Sequence, residues 1–256
     1  MTGRNDRYQA LLLLVMNAPK DKPEMPARND VWRMFDRIAH RYDLLNHLLS
    51  LGQDILWRRM VARRLARAGG RHVLDIATGT GDQLLAMCNR MPEIETAIGL
   101  DRSPQMLANG AQKIYGHHDA DKMALVLGDA LELPVRSQSI CLATITFGIR
   151  NVTETGRGLS EIARVLRPGG QAVILEFSLP ANRLLRRLYL FYFRNILPKL
   201  GGLISGDSYA YQYLNETVET FPYGAAFGKL MTDNGFSAVT ATPLTFGVAT
   251  LYQGVK

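Results

Sequence analysis

Cysteine is scarce in this chain, and so is histidine. Only Cys88 and Cys141 occur among the 256 residues, too few for a disulfide framework, and both stand in apolar segments typical of core thiols. The five histidines show no metal-ligand spacing with cysteine or carboxylate partners. We therefore expect a reducing, cytoplasmic compartment and no bound metal.

A long hydrophobic run is also missing. The apolar stretch near the amino terminus, Ala10 to Met16, has seven residues, whereas a membrane-spanning helix needs about 20. Basic residues precede it as in a secretory signal, but Asn17 to Lys20 offers no small-residue cleavage site. We predict a poorly ordered extension over residues 1–29 and a single domain over residues 30–256.

Acidic residues are outnumbered by basic ones, 23 to 30, which gives a net charge of +7. Such an excess suits nucleic acid or an anionic membrane surface. The chain has no zinc-finger, recognition-helix or RNA-binding signature, so we expect no nucleic-acid partner. Five arginines of one predicted helix form either a solvated face or a contact with lipid headgroups. They are Arg58, Arg59, Arg63, Arg64 and Arg67.

The third glycine of a dinucleotide fingerprint is absent as well. Val73 to Asp82 is typical of an apolar strand that runs into a Gly-x-Gly turn and then a helix. Gly79 and Gly81 let the backbone approach a ligand closely, but Leu84 stands where pyrophosphate binding requires glycine. Asp75, at the end of the strand, is expected to orient the loop or to accept from an ammonium group. The pattern disfavours a nicotinamide dehydrogenase.

Two further apolar runs end in acidic residues. Asp101 follows the second run, twenty residues beyond Gly81, where a carboxylate binds both hydroxyls of a ribose. Asp129 and Ala130 follow the third run and offer a side-chain acceptor and a backbone amide to the edge of adenine. The groups at the three strand ends together match a binding site for adenosine without phosphates. They favour S-adenosylmethionine as the cofactor over an ordinary α/β domain with glycine and aspartate turns.

Apolar strands alternate with amphipathic helices through the chain, which predicts an α/β fold. The last two strands are separated by only Pro243 to Thr245, which permits a hairpin and forbids a parallel crossover. We therefore predict the Rossmann-like fold of class I S-adenosylmethionine-dependent methyltransferases, with seven strands, mostly parallel, and an antiparallel last strand. The predicted strands cover 71–76, 97–101, 124–128, 140–146, 171–177, 236–242 and 246–252, and the helices between them cover 80–90, 103–114 and 153–166.

Two helices are predicted between Val31 and Arg67, before the first strand. Helices in that place commonly cover the mouth of a cofactor site. Tyr42, Asn46 and His47 are polar groups on the otherwise apolar edge of this helical cover. They serve either the site or simple capping and packing.

Five motifs give residues 30 to 256 a resemblance to a known family. They are Met34 to Asp43, the glycine loop from Asp75 to Asp82, Thr146 to Val152, Arg167-Pro168-Gly169-Gly170 and Tyr211-Gln212-Tyr213-Leu214. The chain is similar to the menaquinone and ubiquinone biosynthesis C-methyltransferases. The resemblance implies methyl transfer from S-adenosylmethionine to a ring carbon of a polyprenyl quinol. The family's cofactor positions fall on Thr80, Asp101, Asp129, Ala130 and Thr146, the last of which is often serine.

Carbon methylation requires an electron-rich ring carbon, which a quinol supplies when one hydroxyl is deprotonated or strongly polarised. Arg150 and Asn151 follow the fourth strand, at the edge where open α/β sheets bind ligands. We predict that Arg150 stabilises the phenolate and that Asn151 orients the hydroxyl, with Tyr42 or His47 assisting. A purely structural role in the turn is the alternative.

The segment from Arg183 to Lys199 is richer in apolar residues than one helical stripe requires. It is expected to line a channel for the prenyl tail or to rest on the inner membrane surface, unless it is a core helix. Demethylmenaquinol is the favoured substrate, while the choice between naphthoquinol and benzoquinol and the formation of a homodimer stay open. A methyltransferase for another small molecule and a non-catalytic S-adenosylmethionine-binding module are the other functional alternatives.

Overall fold

The computed structural model describes residues 30–199 and 208–256, so the predicted extension over residues 1–29 lies outside the described residues. The chain forms a seven-stranded sheet with the strand order β3-β2-β1-β4-β5-β7-β6. The strands are β1 (His72–Ile76), β2 (Thr96–Asp101), β3 (Met123–Leu127), β4 (Ile140–Thr146), β5 (Leu166–Phe177), β6 (Ser237–Leu244) and β7 (Ala249–Val255).

Helices cover both faces of this sheet. They are α1 (Val31–Ile38), α2 (Tyr42–Leu49), α3 (Gln53–Ala68), α4 (Asp82–Arg90), α5 (Pro104–Tyr115), α6 (Thr155–Val165), α7 (Arg183–Phe191), α8 (Ser208–Thr220) and α9 (Ala225–Asp233). Short 3-10 turns cover Ala39–Arg41, Ala120–Lys122, Ile149–Asn151 and Thr245–Gly247, and a π-helical turn covers Tyr192–Ile196.

Strand pairing confirms the predicted topology. β1 pairs in parallel with β2 and β4, β2 with β3, and β4 with β5, whereas β7 is antiparallel to both β5 and β6. The central strands are apolar on both faces because each face is buried. Leu74 packs on the side of α6 and α9, and Val73 on the side of α3 and α4. The carboxyl ends of β1 to β5 therefore meet along one edge.

The segment Arg167 to Gly170 differs from the prediction. The helix predicted over 153–166 ends at Val165, and the following residues form the irregular first part of β5, which was predicted to begin only at residue 171. Gly169 has a φ of +76° there, and its N–H donates to the Lys256 carbonyl at 3.0 Å. This bond ties the start of β5 to the end of the chain.

The last hairpin turn is also shifted from its predicted place. Pro243 remains in β6, opposite Thr250, and the turn is made by Thr245, Phe246 and Gly247. All three have positive φ, which reverses the chain over a few residues. The predicted link from 243 to 245 was therefore wrong by about two residues, although the hairpin itself is confirmed.

The helical cover contains three helices rather than the predicted two. The 3-10 turn at Ala39–Arg41 divides the first of them into α1 and α2, and the rings of Phe35 and Tyr42 meet edge to face at 6.0 Å. Asp36 accepts hydrogen bonds from the Ser103 hydroxyl and from the Gln105 N–H. These bonds hold α1 against the start of α5, where the carboxyl edge of the sheet lies.

The segment from Arg183 to Lys199 leaves the sheet and lies beside the cover. None of the side chains of α7 is buried, whereas Phe193 and Leu197 beyond it are buried against α1 and α8. None of the helices within residues 30–199 and 208–256 combines the length and the apolar character that crossing a bilayer requires.

Candidate active site

The glycine loop after β1 is held by the neighbouring strand end. Gly79 and Gly81 have φ of +57° and +82°, which glycine adopts without strain. The Gly79 N–H donates to the Asp101 carboxylate at 2.8 Å, and the Ser103 N–H donates to the other carboxylate oxygen at 2.9 Å. The carboxylate at the end of β2 therefore fixes the loop and the start of α5 together.

A cavity lies over this loop, and we name it the donor cavity. Many of the predicted site residues line it, namely Tyr42, Gly79, Asp101, Asp129, Ala130, Thr146 and Asn151. The carboxylate of Asp129 accepts from the Leu131 N–H at 2.9 Å and lies 3.3 Å from the Arg102 guanidinium. Trp32 and Met106 also line the cavity, and the sequence analysis missed both. Hydrogen-bond acceptors around an apolar slot are suited to binding a nucleoside.

Three predicted cofactor residues lie behind the loop rather than in the donor cavity. Thr80 is 2% exposed, and its hydroxyl donates to Asp43 at 2.6 Å and accepts from Lys113 at 2.9 Å. Gly81 begins α4, and Asp75 accepts from the Thr78 hydroxyl at 2.6 Å. These residues shape the loop, and any direct contact with the cofactor stays a prediction.

Asp75 is a buried carboxyl group that lacks a full set of partners. It is 1% exposed, and its Oδ1 has no hydrogen-bond partner among the described residues. Burial raises the pKa of Asp75 to about 7, while the bond from Thr78 and the charge of Arg58 oppose that rise. The group therefore titrates in the neutral range.

We expect Asp75 to make the stability of the protein depend on pH. Between about pH 4 and pH 7 the folded state holds a proton that the unfolded chain has released, so stability falls as pH rises, by up to about 1.4 kcal/mol per unit. The Asp75→Asn variant lacks this contribution and should be more stable than the wild type at pH 8. Urea unfolding of both proteins from pH 5 to pH 8 measures the difference, and a difference that does not change with pH contradicts this assignment.

A second cavity adjoins the first, and we name it the acceptor cavity. Its lining is largely apolar, includes nine aromatic side chains, and comes from the cover, the sheet edge and the helices after β5. The aromatic residues are Phe35, Tyr42, Trp57, Phe147, Phe177, Tyr189, Tyr192, Phe193 and Tyr213. Phe35, Tyr42 and Phe147 line both cavities and form what we call the partition. A long apolar molecule suits the acceptor cavity.

Arg150 lines the acceptor cavity in an ion pair that the sequence analysis missed. The residue is 6% exposed, and its Nη1 donates to Glu176 and to the Phe147 carbonyl, each at 2.7 Å. Glu176 stands at the end of β5 and is 1% exposed. It follows the apolar run from Ala172 to Leu175, which is the same signal that identified Asp101.

Asn151, Tyr42 and His47 have different surroundings. The Oδ1 of Asn151 accepts from the Tyr213 hydroxyl at 3.2 Å. Tyr42 belongs to the partition, and burial raises the pKa of its phenol. His47 lines neither the donor nor the acceptor cavity, and its Nδ1 lies 2.7 Å from the Asp54 carboxylate. Of the two residues predicted to assist, only Tyr42 lines the cavities, and assistance by either residue stays a prediction.

Three potential metal ligands meet away from these cavities. The ligand atoms of His117, His118 and Asp119 lie within 4.8 Å of one another. The Asp119 carboxylate also pairs with Lys122 at 2.7 Å, and this positive charge opposes a cation. The group precedes β3, at the edge of the sheet opposite the strand ends that carry the cavities, and it takes no part in the site. The absence of a metal stays a prediction.

The chain matches the model of the ubiE/COQ5 methyltransferase family over residues 23–256. It belongs to this family. A ubiquinone/menaquinone biosynthesis C-methyltransferase UbiE from Geobacter sp. (strain M21) is 44% identical over 223 residues, which are 87% of this chain and 94% of the relative. A demethylmenaquinone methyltransferase from Chlorobaculum parvum is 40% identical over 234 residues, which are 90% of this chain and 94% of the relative. The resemblance read from the five motifs is thus confirmed.

Solved structures confirm the methyltransferase fold of this ubiE/COQ5 family member. A methyltransferase from Aquifex aeolicus superposes with a TM-score of 0.55 at 14% identity, over 76% of this chain and 88% of that chain. The phosphoethanolamine N-methyltransferase 2 of Haemonchus contortus, solved with S-adenosyl-L-methionine, gives 0.56 at 15% identity, over 75% of this chain and 51% of that chain. At these identities the likeness concerns the fold alone.

Proposed function

We propose that this protein transfers the methyl group of S-adenosylmethionine to a ring carbon of demethylmenaquinol. The cofactor occupies the donor cavity, and the prenylated quinol occupies the acceptor cavity. Membership of the family and relatives at 44% and 40% identity make the chain an S-adenosylmethionine-dependent C-methyltransferase of quinone biosynthesis. The observation that carries the finer proposal is the partition of Phe35, Tyr42 and Phe147, because it brings two cavities of different chemistry to one boundary.

The reaction is an in-line displacement at the sulfonium methyl group. Loss of a hydroxyl proton makes the quinol ring electron-rich. The new carbon–carbon bond then replaces the carbon–sulfur bond, whose electron pair stays on sulfur and gives neutral S-adenosylhomocysteine. The ring finally loses the proton at the methylated carbon and regains aromaticity. The protein has to align the two reactants and stabilise the phenolate.

The residues named from the sequence keep their proposed roles in this reaction, except Arg150, which was predicted to stabilise the phenolate. Asp101 binds the ribose hydroxyls, and Asp129 with Ala130 binds the adenine edge. Arg150 holds the quinol hydroxyl from the acceptor cavity, and Asn151, which lines the donor cavity, orients that hydroxyl from the other side of the partition. Because Glu176 already balances the charge of Arg150, we assign Arg150 to hydrogen bonding and positioning rather than to net charge stabilisation.

Anaerobic transfer of a radiolabelled methyl group to short-chain demethylmenaquinol tests the proposal. We expect turnover with this naphthoquinol and slower turnover with the ring that lacks a prenyl chain, because the apolar cavity is then poorly filled. If only the benzoquinol is methylated, the substrate ring is a benzoquinol rather than a naphthoquinol. Binding of S-adenosylmethionine without turnover of either quinol would contradict a quinol methyltransferase.

We also propose that the inner membrane surface contacts the mouth of the acceptor cavity. The outer face of α7 exposes Leu184 (66%), Leu188 (59%) and Phe191 (60%), next to exposed Arg183 and Arg187. Leu51 and Phe246 are 85% and 82% exposed. Leu51 and Thr245, the neighbour of Phe246, line the acceptor cavity. Apolar side chains flanked by guanidinium groups suit an anionic bilayer, from which a prenylated quinol has to be drawn.

Sedimentation with anionic vesicles measures this contact. The Leu188→Asp variant should bind about tenfold more weakly than the wild type, because one leucine no longer enters the apolar layer. Leu127→Asp is the matched control, since Leu127 is 50% exposed on the edge strand β3 and should leave binding unchanged. Failure of the wild type to bind at low salt contradicts the membrane contact but leaves the reaction untouched.

A further inference from the structure

Arg58 of α3 is a buried cation. The residue is 8% exposed, and its Nε has no hydrogen-bond partner within residues 30–199 and 208–256. Among the residues that the structure describes, no carboxylate forms an ion pair with it. An unpaired buried charge costs folding free energy. A protein tolerates that cost where a ligand supplies the opposite charge.

The guanidinium group of Arg58 lies at the partition. It is 5.8 Å from the centroid of the Phe147 ring, and the guanidinium of Arg150 is 5.3 Å from the Phe177 ring. The two rings stack on each other at 4.4 Å. The two arginines therefore flank one aromatic pair in the wall of the acceptor cavity. Glu176 pairs with Arg150, whereas none of the carboxylates that the structure describes forms an ion pair with Arg58.

Two of the carboxylates around Arg58 are engaged by other groups, since Asp54 is bound by His47 and Ser50, and Asp82 by Lys113. Asp75 accepts from Thr78 and interacts with the charge of Arg58, but burial raises the pKa of Asp75 to about 7, so this carboxyl group is largely protonated below that pH. The other ionisable groups nearby are Tyr42, Arg150 and, along an outer groove that Arg58 also borders, Arg59, Arg63 and Arg90. An anion that enters the acceptor cavity thus meets a positive charge that Asp75 offsets only in part.

We propose that Arg58 binds the ionised hydroxyl of the quinol and stabilises the phenolate from which methylation proceeds. This role rests on the proposed function. Arg58 lines the acceptor cavity but not the donor cavity, which favours the quinol over the carboxylate of S-adenosylmethionine as its ligand. Because Phe147 lines both cavities, the charge stands beside the ring that receives the methyl group. Arg58 then supplies the positive charge that stabilises the phenolate, and Arg150 positions the quinol hydroxyl.

The Arg58→Met variant separates this role from a structural one. We expect turnover near pH 7 to fall about 100-fold, as for the loss of one charged group at a developing oxyanion. The acid limb of the turnover profile should move to higher pH, because the hydroxyl then ionises without the adjacent cation. The variant should also melt about 2–4 °C higher, since an unpaired buried charge is gone. Arg59→Met is the control, because Arg59 is exposed on the same helix and should change none of these.

Binding measurements decide the remaining outcomes. A prenylated 1-naphthol, whose phenolate absorbs at longer wavelength, should show a bound pKa that is about 1–3 units higher in Arg58→Met than in the wild type. Arg58→Lys keeps the charge and should keep the acid limb near its wild-type position. Unchanged turnover, a lower melting temperature, or an affinity for S-adenosylmethionine that falls as far as turnover would each overturn the proposal. If the wild-type protein methylates no quinol, the proposed function is rejected instead. The change in melting temperature of Arg58→Met still tests whether the buried charge is unpaired.

Discussion

Replacing Arg150 with methionine should lower the free energy of unfolding by about 3–5 kcal/mol, because it leaves a buried carboxylate without its partner. Glu176 is 1% exposed and accepts from the Arg150 side chain at 2.7 Å. Loss of the guanidinium also removes the donor to the Phe147 carbonyl at 2.7 Å. The partition then loses the bond that fixes its backbone. We expect turnover to collapse in the same variant, as measured by methyl transfer, with urea unfolding reporting the stability.

The Arg150→Met, Glu176→Gln double variant is the matched control for that experiment. It removes both charges at once, so much of the lost stability should return. Turnover should remain at least about 100-fold below that of the wild type, since the group that positions the quinol is still missing. Affinity for S-adenosylmethionine should stay close to normal. A double variant with normal turnover would make Arg150 purely structural, and an Arg150→Met variant as stable as the wild type would show that the pair is not buried.

The strand ends could be predicted because their signal is local. Asp75, Asp101 and Asp129 each follow an apolar run, and parallel strands bring their carboxyl ends to one edge of a sheet. The structure places Asp75 and Asp101 in contact with the glycine loop, and Asp129 lines the donor cavity. Glu176 follows an apolar run in the same way and was overlooked, although its pairing with Arg150 depends on the adjacency of β4 and β5. The sequence pattern predicts where the Glu176 carboxylate lies, but only the folded structure shows that Arg150 pairs with it.

The role of Arg58 could not be read from the sequence. It stands among five arginines that predict a solvated helical face, and Arg59 and Arg63 are indeed exposed. Arg58 is buried because α3 packs on α4, where Gln83 donates to the Arg58 carbonyl at 3.4 Å, and because Phe147 projects toward it from β4. Such contacts join residues far apart in the chain. The shifted hairpin turn has a different cause, since positive φ at Thr245 and Phe246 has no signal in those residue types.

Replacing Asp101 with alanine should weaken the binding of S-adenosylmethionine about 100-fold, which corresponds to roughly 2.7 kcal/mol. The carboxylate has two functions that the same change removes. It accepts from the Gly79 N–H and the Ser103 N–H, at 2.8 and 2.9 Å, and in our proposal it also binds the ribose. Hydrogen bonds to a charged group contribute about 1.5–3 kcal/mol each. Calorimetric titration with S-adenosylmethionine measures the loss.

The Asp101→Asn variant sharpens this test, because an amide cannot accept at both ends. Its NH₂ group has to face the N–H of either Gly79 or Ser103, and two donors then oppose each other. We expect asparagine to bind the cofactor nearly as weakly as alanine, although its size matches that of aspartate. Asp121→Asn, an exposed change at the opposite edge of the sheet, controls for the general loss of one negative charge. Normal affinity in Asp101→Asn would mean that charge and acceptor geometry at this strand end do not hold the donor.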